Sequence, residues 1–268
     1  MTSANDQRSA LSKVPAVTLG FWIAKIFATT LGETAGDAVT MSWLGETTPG
    51  ASTAVSGYLI GTGIFGAILL ALVLLQIQAK KFHPFLYWST IVASTTAGTT
   101  LADFATRSLG IGYSGGSILL LALVLASLGA WKKVEGHISS DQIVTARTEA
   151  FYWLTITFSQ TLGTALGDWA ADPATLGLGY LGGALLFGGL IALVALLYFA
   201  TSINRVALFW AAFILTRPLG ATVGDFLDKP LAKGGLNLSR PLASAVLAIA
   251  IVIIVALTRR RDREAAPA

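Results

Sequence analysis

Cysteine is absent from the sequence, and histidine occurs only twice. Without cysteine the chain can form no disulfide, no iron–sulfur cluster and no thiolate metal site. His83 and His137 fall in predicted loops or helix ends. A zinc site, which usually needs imidazole or thiolate ligands, is therefore not expected. A serine–histidine or cysteine–histidine catalytic pair within the apolar part of the chain is not expected either.

Charged residues are also scarce. They make up 12% of the 268 residues, whereas 54% of the residues are hydrophobic, and a soluble protein carries about twice that share of charge. Four apolar runs are each long enough for the roughly 20 helical residues that cross a bilayer, at 54–75, 114–131, 179–200 and 241–257. The sequence therefore predicts an all-α polytopic membrane protein that is surrounded by lipid.

A repeated segment predicts four further helices. Its first copy is FWIAKIFATTLGETAGD, and in every copy a tryptophan is followed ten residues later by glycine and fifteen residues later by aspartate. The copies lie at 21–37, 87–103, 152–168 and 209–225. They predict helices at 18–41, 84–107, 149–171 and 206–228. Each of these is followed by one apolar run, so we expect eight transmembrane helices in one membrane domain, 1–258, of four tandem two-helix repeats. The predicted repeats are about 14–80, 81–133, 146–203 and 204–258, and a basic cytoplasmic tail follows at 259–268.

This pattern resembles a bacterial integral-membrane family that is defined by four tandem copies of a two-helix repeat of unknown function. The resemblance rests on the aromatic–tryptophan pair, the middle rich in threonine and serine, and the terminal glycine or alanine followed by aspartate. It covers about residues 14–258. The resemblance implies a fold but no activity, so the function has to be argued from the residues.

Lysine and arginine are distributed unequally between the predicted loops. Twelve of them lie on the side of the two termini, and four lie on the other side, namely Arg107, Lys229, Lys233 and Arg240. Because cytoplasmic loops are enriched in these residues, we expect both termini in the cytoplasm and the protein in the bacterial inner membrane. The pI of about 9.4 follows from this asymmetry and does not indicate nucleic-acid binding. Since each repeat has two helices, all four repeats should enter the membrane in the same direction, in contrast to inverted-repeat transporters.

The first helix of each repeat carries polar residues on one face. In the first repeat, Lys25, Thr29, Glu33 and Asp37 follow at four-residue intervals, which places them on one stripe of a helix. The equivalent stripes of the other repeats contain Thr95, Thr99 and Asp103, then Gln160, Thr164 and Asp168, then Arg217 and Asp225. A charged side chain that faces lipid at mid-depth costs about 2.5–3.5 kcal/mol. We therefore expect the odd-numbered helices to line a polar centre and the apolar helices to lie outside them.

The polar centre is predicted to bind the transported solute. Its acids outnumber its bases by three (five minus two), and uncompensated negative charge in a membrane takes up protons or binds cations. Oxygen ligands suit hard cations such as Mn²⁺, Mg²⁺ or Ca²⁺. The predicted ion-binding residues are Glu33, Asp37, Asp103, Asp168 and Asp225 as metal ligands, Thr29 and Gln160 as further oxygen ligands, and Lys25 and Arg217 as counter-charges. The sequence thus predicts a small-solute transporter, most readily for a hard divalent cation with Mn²⁺ favoured and protons as the exchanged ion, and it predicts no cofactor.

Other interpretations remain open from the sequence. The repeated aspartates lie about 22 Å beyond the tryptophans at 1.5 Å per residue, near the outer boundary of the bilayer, where they could cap helices or form ion pairs. Lys25, Arg217 and the threonines could instead hold a small anionic or zwitterionic organic ligand, in a membrane sensor or in a transporter. An intramembrane aspartyl protease would need glycine three residues before its aspartate, and the sequence has Thr34, Thr100, Ala165 and Thr222 there. We therefore expect no enzyme.

The sequence allows two structural roles for the repeated glycines and two for the repeated tryptophans. Gly32 and Gly36, with their equivalents, have the four-residue spacing that lets helices pack closely. The same segment could unwind and offer carbonyl oxygens to an ion. The tryptophans are expected at the headgroup level on the cytoplasmic side as anchors, rather than stacked on a ligand. The sequence is compatible with either a monomer or an oligomer.

Overall fold

A computed structural model describes residues 13–45, 56–138 and 143–264. In these residues the chain forms eight α-helices and no β-strand. The helices are α1 Leu19–Asp37, α2 Gly57–Gln78, α3 Pro84–Asp103, α4 Gly112–Glu135, α5 Ala146–Ala171, α6 Gly179–Ala200, α7 Arg205–Asp228 and α8 Arg240–Glu264. The all-α prediction is confirmed. Arg8 and the end of the predicted basic tail, 265–268, lie outside the described residues.

Short segments of other helical types extend this framework. The π-helical segments Ala38–Trp43 and Phe104–Ser108 continue α1 and α3, and a single 3₁₀ turn, Leu231–Lys233, lies between α7 and α8. Helix α8 continues to Glu264, past the point at which the basic tail is predicted to begin.

Short polar side chains cap the N-termini of four of the eight helices. Thr18, Ser56, Thr145 and Asn204 each accept a hydrogen bond from a backbone N–H in the first turn of the helix that follows. Helix α3 begins at Pro84, whose fixed φ angle suits the first helical position. These local signals explain why the predicted helix starts lie within a few residues of the observed ones.

Helices α1, α3, α5 and α7, hereafter the inner helices, form a ring. Each inner helix packs along the next one in chain order, and α7 closes the ring by packing along α1. Aromatic residues near the starts of all four helices meet in one cluster, which includes Phe21, Tyr87, Trp153 and Trp210. The aspartates at the other ends of the inner helices are joined through shared basic residues. The inner helices therefore run in the same direction, from an aromatic end of the ring to an aspartate end.

The four outer helices, α2, α4, α6 and α8, cover this ring in a regular order. Helix α2 packs along α3, α4 along α5, and α6 along α7, while α8 returns to pack along α1. Each outer helix thus covers the inner helix that follows it in the chain, and the last outer helix covers the first inner one. Neighbouring repeats are therefore joined twice, through their inner helices and through the outer helix of one repeat, which packs on the inner helix of the next.

The surface of the outer helices indicates a membrane protein. Leu70, Ile118, Leu185 and Leu242, one on each outer helix, are between 60% and 72% exposed. By length and composition, the described residues contain five helices that could cross a membrane, namely the four outer helices, with α8 counted to Thr258, and α7. Helices α1, α3 and α5 are 19, 20 and 26 residues long. Most of their polar residues are buried inside the bundle rather than exposed on its surface.

Three of the four tryptophans near the starts of the inner helices lie inside the protein, and the fourth, Trp22, is partly buried. Trp88, Trp153 and Trp210 are between 3% and 6% exposed and pack with Tyr87 and Tyr152. The hydroxyl groups of the two tyrosines form a hydrogen bond of 2.7 Å. The prediction that these tryptophans anchor the protein at the headgroup level is wrong for these three, because they fill the aromatic end of the ring instead.

The repeated glycines let the inner helices approach closely. A Cβ atom on Gly98 would lie 2.9 Å from the backbone carbonyl carbon of Gln160 and from the nitrogen of Thr161, so only hydrogen fits there. The equivalent glycines make the same kind of contact with the next inner helix, Gly32 with Thr95, Gly163 with Arg217 and Gly220 with Thr29. Each Gly–Asp segment is continuous α-helix. The alternative that these segments unwind is therefore wrong, and the glycines serve close packing.

Candidate functional site

One guanidinium group links all four inner helices near the middle of the ring. Nη2 of Arg217 in α7 lies 2.9 Å from Oε2 of Glu33 in α1. The same nitrogen lies 2.5 Å from Oγ1 of Thr99 in α3 and 2.5 Å from Oγ1 of Thr164 in α5. All four side chains are buried, and Arg217 has no exposed surface. The structure thus joins the predicted counter-charge Arg217 to the predicted acid Glu33.

A lysine binds the aspartates of α1 and α7 one turn nearer the aspartate end. Nζ of Lys229 contacts Oδ2 of Asp37 and lies 2.8 Å from Oδ1 of Asp225. It is also 3.8 Å from Oδ1 of Asp228, whose other oxygen is 3.4 Å from Nε of Arg240. Lys229 follows directly after α7, and its side chain is 9% exposed. One ammonium group therefore neutralises carboxylates from the first and the last inner helix.

An arginine plays the equivalent part for the aspartates of α3 and α5. Nε of Arg107 is 3.0 Å from Oδ1 of Asp103, and Nη2 is 3.2 Å from Oδ2 of Asp168. Nη1 donates a hydrogen bond of 3.1 Å to the hydroxyl oxygen of Tyr58. The Asp103–Asp168 pair is thus held in a group of its own, separate from the group around Lys229.

Sequence reasoning missed Arg107 and Lys229, which it assigned to outer loops. The structure brings both side chains into the polar centre. A signal for this was present, because Arg107 follows Asp103 by four residues and Lys229 follows Asp225 by four residues. Opposite charges at that spacing lie side by side on a helix.

The polar centre is consequently closer to neutral than the sequence predicted. Asp228 joins the five predicted acids, while three additional bases lie among them. The six acids are Glu33, Asp37, Asp103, Asp168, Asp225 and Asp228, and the five bases are Lys25, Arg107, Arg217, Lys229 and Arg240. The predicted excess of three negative charges is therefore too large, and most of the acids have an internal basic partner.

Three of the acids form a candidate cation site. Glu33, Asp37 and Asp225 are buried, and each offers one carboxylate oxygen so that the three oxygens lie within 4.8 Å of one another. Two ligands on opposite sides of a Ca²⁺ ion are about 4.6–5.2 Å apart, since each bond is about 2.3–2.6 Å. One ion could therefore contact all three oxygens. In the described part of the chain, Oδ1 of Asp37 has no hydrogen-bond partner.

The remaining predicted site residues do not join this site. Oγ1 of Thr29 bonds to backbone carbonyl oxygens, including that of Thr216 at 3.1 Å. Gln160 is buried, and neither atom of its amide group has a hydrogen-bond partner among the described residues. Lys25 is buried as well, and its ammonium group lies 4.2 Å from the ring centroid of Phe213.

Lys25 lies among the acids of the polar centre but forms no direct ion pair with any of them in the described part of the chain. Over residues 13–45, 56–138 and 143–264, its ammonium group has neither a carboxylate within ion-pair distance nor a hydrogen-bond partner. The nearby Arg217 guanidinium repels it.

The candidate cation site is closed on both sides. The aromatic cluster with the Tyr87–Tyr152 hydrogen bond fills one end of the ring. At the other end Arg107 and Lys229 cover the acids, with side chains that are 15% and 9% exposed. Two grooves on the outside of the bundle are lined mainly by apolar side chains and by none of these acids.

Comparison with known families agrees with the repeat pattern. Four segments of the chain match the family model described as a Repeat of Unknown Function (DUF347), at residues 20–82, 86–137, 151–204 and 208–264. Each match begins within the first turns of an inner helix and extends through the outer helix that follows it. The predicted four tandem repeats are thereby confirmed. No curated protein and no solved structure matches the chain. The chain belongs to the DUF347 repeat family.

Proposed function

We propose that this protein is a membrane transporter for a small hard cation, and that Glu33, Asp37 and Asp225 are the cation ligands. The observation that carries the proposal is the meeting of three buried carboxylate oxygens within 4.8 Å. Burying a carboxylate is unfavourable unless it is paired, and grouping three of them adds mutual repulsion. Here three carboxylates share only two bases, Arg217 and Lys229, and carboxylate oxygens grouped around one point are the ligands that a hard cation binds.

The proposal includes a topology. All eight helices cross the bacterial inner membrane as four parallel two-helix repeats, the inner helices surround the polar centre, and both termini lie in the cytoplasm. The common direction of the inner helices and the apolar surface of the outer ones support this arrangement. The unequal distribution of lysine and arginine supports the orientation. The aspartate end of the ring then faces away from the cytoplasm.

The ligand chemistry selects the class of cation. Carboxylate oxygens prefer hard ions such as Mn²⁺, Mg²⁺ and Ca²⁺, and among these Mn²⁺ is our first candidate. Because the acids are largely neutralised by internal bases, a cation cannot simply be added to the site. Its entry has to be coupled to the departure of a positive charge, and we take protons to be the exchanged ion. The proposal is for transport rather than for catalysis.

A second candidate function is binding or transport of a small anionic or zwitterionic organic ligand. The buried ammonium group of Lys25, which has no acidic partner among the described residues, favours it. The unpartnered amide of Gln160 could donate to the same ligand. Against it stands Arg217, because its guanidinium group already binds Glu33 and two threonines. A sensor of this kind would bind its ligand without transporting it.

Ion flux in proteoliposomes tests the proposal. Wild-type protein, Asp37→Asn and a control variant, Asp172→Asn, are compared with Mn²⁺, Mg²⁺, Ca²⁺, K⁺ and an imposed proton gradient. Asp172 lies at the end of α5, where its Oδ1 accepts a backbone hydrogen bond from Ala174, and it is not part of the candidate cation site. We expect flux of a divalent cation that Asp37→Asn abolishes and Asp172→Asn retains. Folded wild-type protein that transports none of these ions would contradict the proposal.

A further inference from the structure

Every carboxylate of the candidate cation site already contacts a basic side chain. Glu33 is bound by Arg217, and both Asp37 and Asp225 are bound by Lys229. A divalent cation placed between the three oxygens would lie within a few ångströms of these positive charges, and the repulsion between them would be strong in a buried site. One of the two bases therefore has to leave when a cation binds.

Arg217 is poorly suited to leave. It belongs to the middle of α7, it is fully buried, and its guanidinium group contacts side chains from the three other inner helices. Its withdrawal would break the contacts by which one side chain joins all four inner helices in the described part of the ring.

Lys229 is well suited to leave. It lies just past the end of α7, its side chain is 9% exposed whereas Arg217 has no exposed surface, and its backbone N–H donates a hydrogen bond to the backbone carbonyl oxygen of Asp225. A lysine ammonium is carried on four flexible carbon atoms, so it can move without a change in the backbone. Asp228 lies 3.8 Å from the ammonium and outside the candidate cation site, and it remains available as a partner after the move.

We propose that the ammonium group of Lys229 is an internal substitute for the transported cation, which leaves Asp37 and Asp225 when the cation binds and returns to them when the cation is released. The inference rests on the proposed function. Movement of the Lys229 ammonium group explains how a cation can bind to a closed site whose acids are already paired with bases. Displacement of Lys229 also favours divalent ions. A monovalent ion carries the same single positive charge as the ammonium group that it replaces, whereas a divalent ion brings one additional positive charge to the carboxylates. The tether gives the ammonium a high effective concentration, which a monovalent ion has to overcome.

Cation affinity in detergent solution tests the inference. Calorimetric titrations with Mn²⁺, Mg²⁺ and Ca²⁺ compare wild-type protein with Lys229→Met, which removes the charge, and with Lys229→Arg, which keeps it. Lys233→Met, in an exposed residue of the same loop, is the matched control. We expect Lys229→Met to bind the preferred cation at least tenfold more tightly than wild-type protein, because no ammonium has to be displaced. Lys233→Met should bind within about threefold of wild type, whereas Lys229→Arg, which keeps the charge, should show no gain in affinity.

The possible outcomes separate the two proposals. Measurable binding by wild-type protein that is not strengthened in Lys229→Met would overturn the role of Lys229 and leave the proposed function standing. Absence of binding by both wild-type protein and Lys229→Met would overturn the proposed function, and the inference with it.

A measurement on wild-type protein covers the case in which Lys229→Met does not fold. Lysine acylation by a water-soluble reagent, read by mass spectrometry, reports how accessible each ammonium group is. We expect acylation of Lys229 to rise several-fold at saturating Mn²⁺ while acylation of Lys233 stays constant. An unchanged reactivity of Lys229 at saturating Mn²⁺ would overturn the inference.

Discussion

Removal of the Arg217 guanidinium group should destabilise the whole ring. The variant Arg217→Met keeps most of the side-chain volume but removes the contacts with Glu33, Thr99 and Thr164. It also leaves Glu33 as a buried carboxylate without its basic partner. Breaking a buried ion pair from one side costs about 3–5 kcal/mol, and we expect a loss of this size in the free energy of unfolding.

The double variant distinguishes loss of charge compensation from loss of packing. If the main penalty comes from the unpaired carboxylate, Glu33→Gln in the Arg217→Met background should restore most of the lost stability, since replacing both members of a buried pair is often nearly neutral. Unfolding by SDS titration in mixed micelles measures all three proteins. Arg205→Met is the control, because Arg205 is an exposed arginine at the start of the same helix with no acidic partner in the described part of the chain. It donates hydrogen bonds to the carbonyl oxygens of Tyr198 and Thr201 and lies over the Tyr198 ring.

Two results would refute this reasoning. A free energy of unfolding that is the same for Arg217→Met and Arg205→Met would mean that the central guanidinium group does not hold the ring together. A double variant that is less stable than Arg217→Met alone would mean that the penalty does not arise from the uncompensated charge of Glu33.

Two further predictions concern the packing of the ring and use the same unfolding measurement. Gly98→Ala should lower the free energy of unfolding by about 1–3 kcal/mol, because its Cβ would press against the backbone of Gln160. Gly129→Ala, in α4 with no atom within 4 Å of the new Cβ, should cause no loss; equal effects of the two changes would contradict the packing role. Tyr87→Phe should cost about 1 kcal/mol, since it removes the hydrogen bond at the aromatic end and leaves the buried hydroxyl of Tyr152 without it. Unchanged stability of Tyr87→Phe would show that this bond does not stabilise the ring.

Much of the fold could be predicted from the sequence because its signals are local. The apolar runs are long enough to mark helices by themselves, and the tryptophan–glycine–aspartate spacing marks the repeats. The polar stripe through Glu33 and Asp37 predicts that these residues face other polar residues, since lipid is too costly an alternative. The burial of both side chains in the ring agrees with that reasoning.

The composition of the candidate site could be predicted only in part, because it depends on which helices become neighbours. Glu33 and Asp225 belong to the first and the last inner helix, and they meet only because the ring closes. That closure is the direct packing of α7 along α1, a contact between distant segments that a pattern along the sequence does not reveal. The same limitation explains why five acids were grouped together, whereas the structure separates Asp103 and Asp168 from the other three.

The bases were the least predictable part of the site. Arg107 and Lys229 lie at or just past helix ends, where a count of loop charges assigns them to the aqueous phase. Their long side chains reach back into the ring and pair with the acids four residues earlier. Lys25 shows the opposite error, because its place on the polar stripe predicts an acidic partner and the described residues provide none within ion-pair distance.

A cation held jointly by Glu33, Asp37 and Asp225 is the central prediction, and a crystal structure with Mn²⁺ tests it most directly. Anomalous diffraction data collected at the manganese absorption edge locate the ion by its element, independently of the ligands assigned to it. We predict one strong anomalous peak about 2.0–2.6 Å from an oxygen of each of the three carboxylates, with the ammonium group of Lys229 no longer in contact with Asp37. A map with no peak between these carboxylates, from crystals grown in excess Mn²⁺ and with Lys229 still bound to Asp37, would contradict the account.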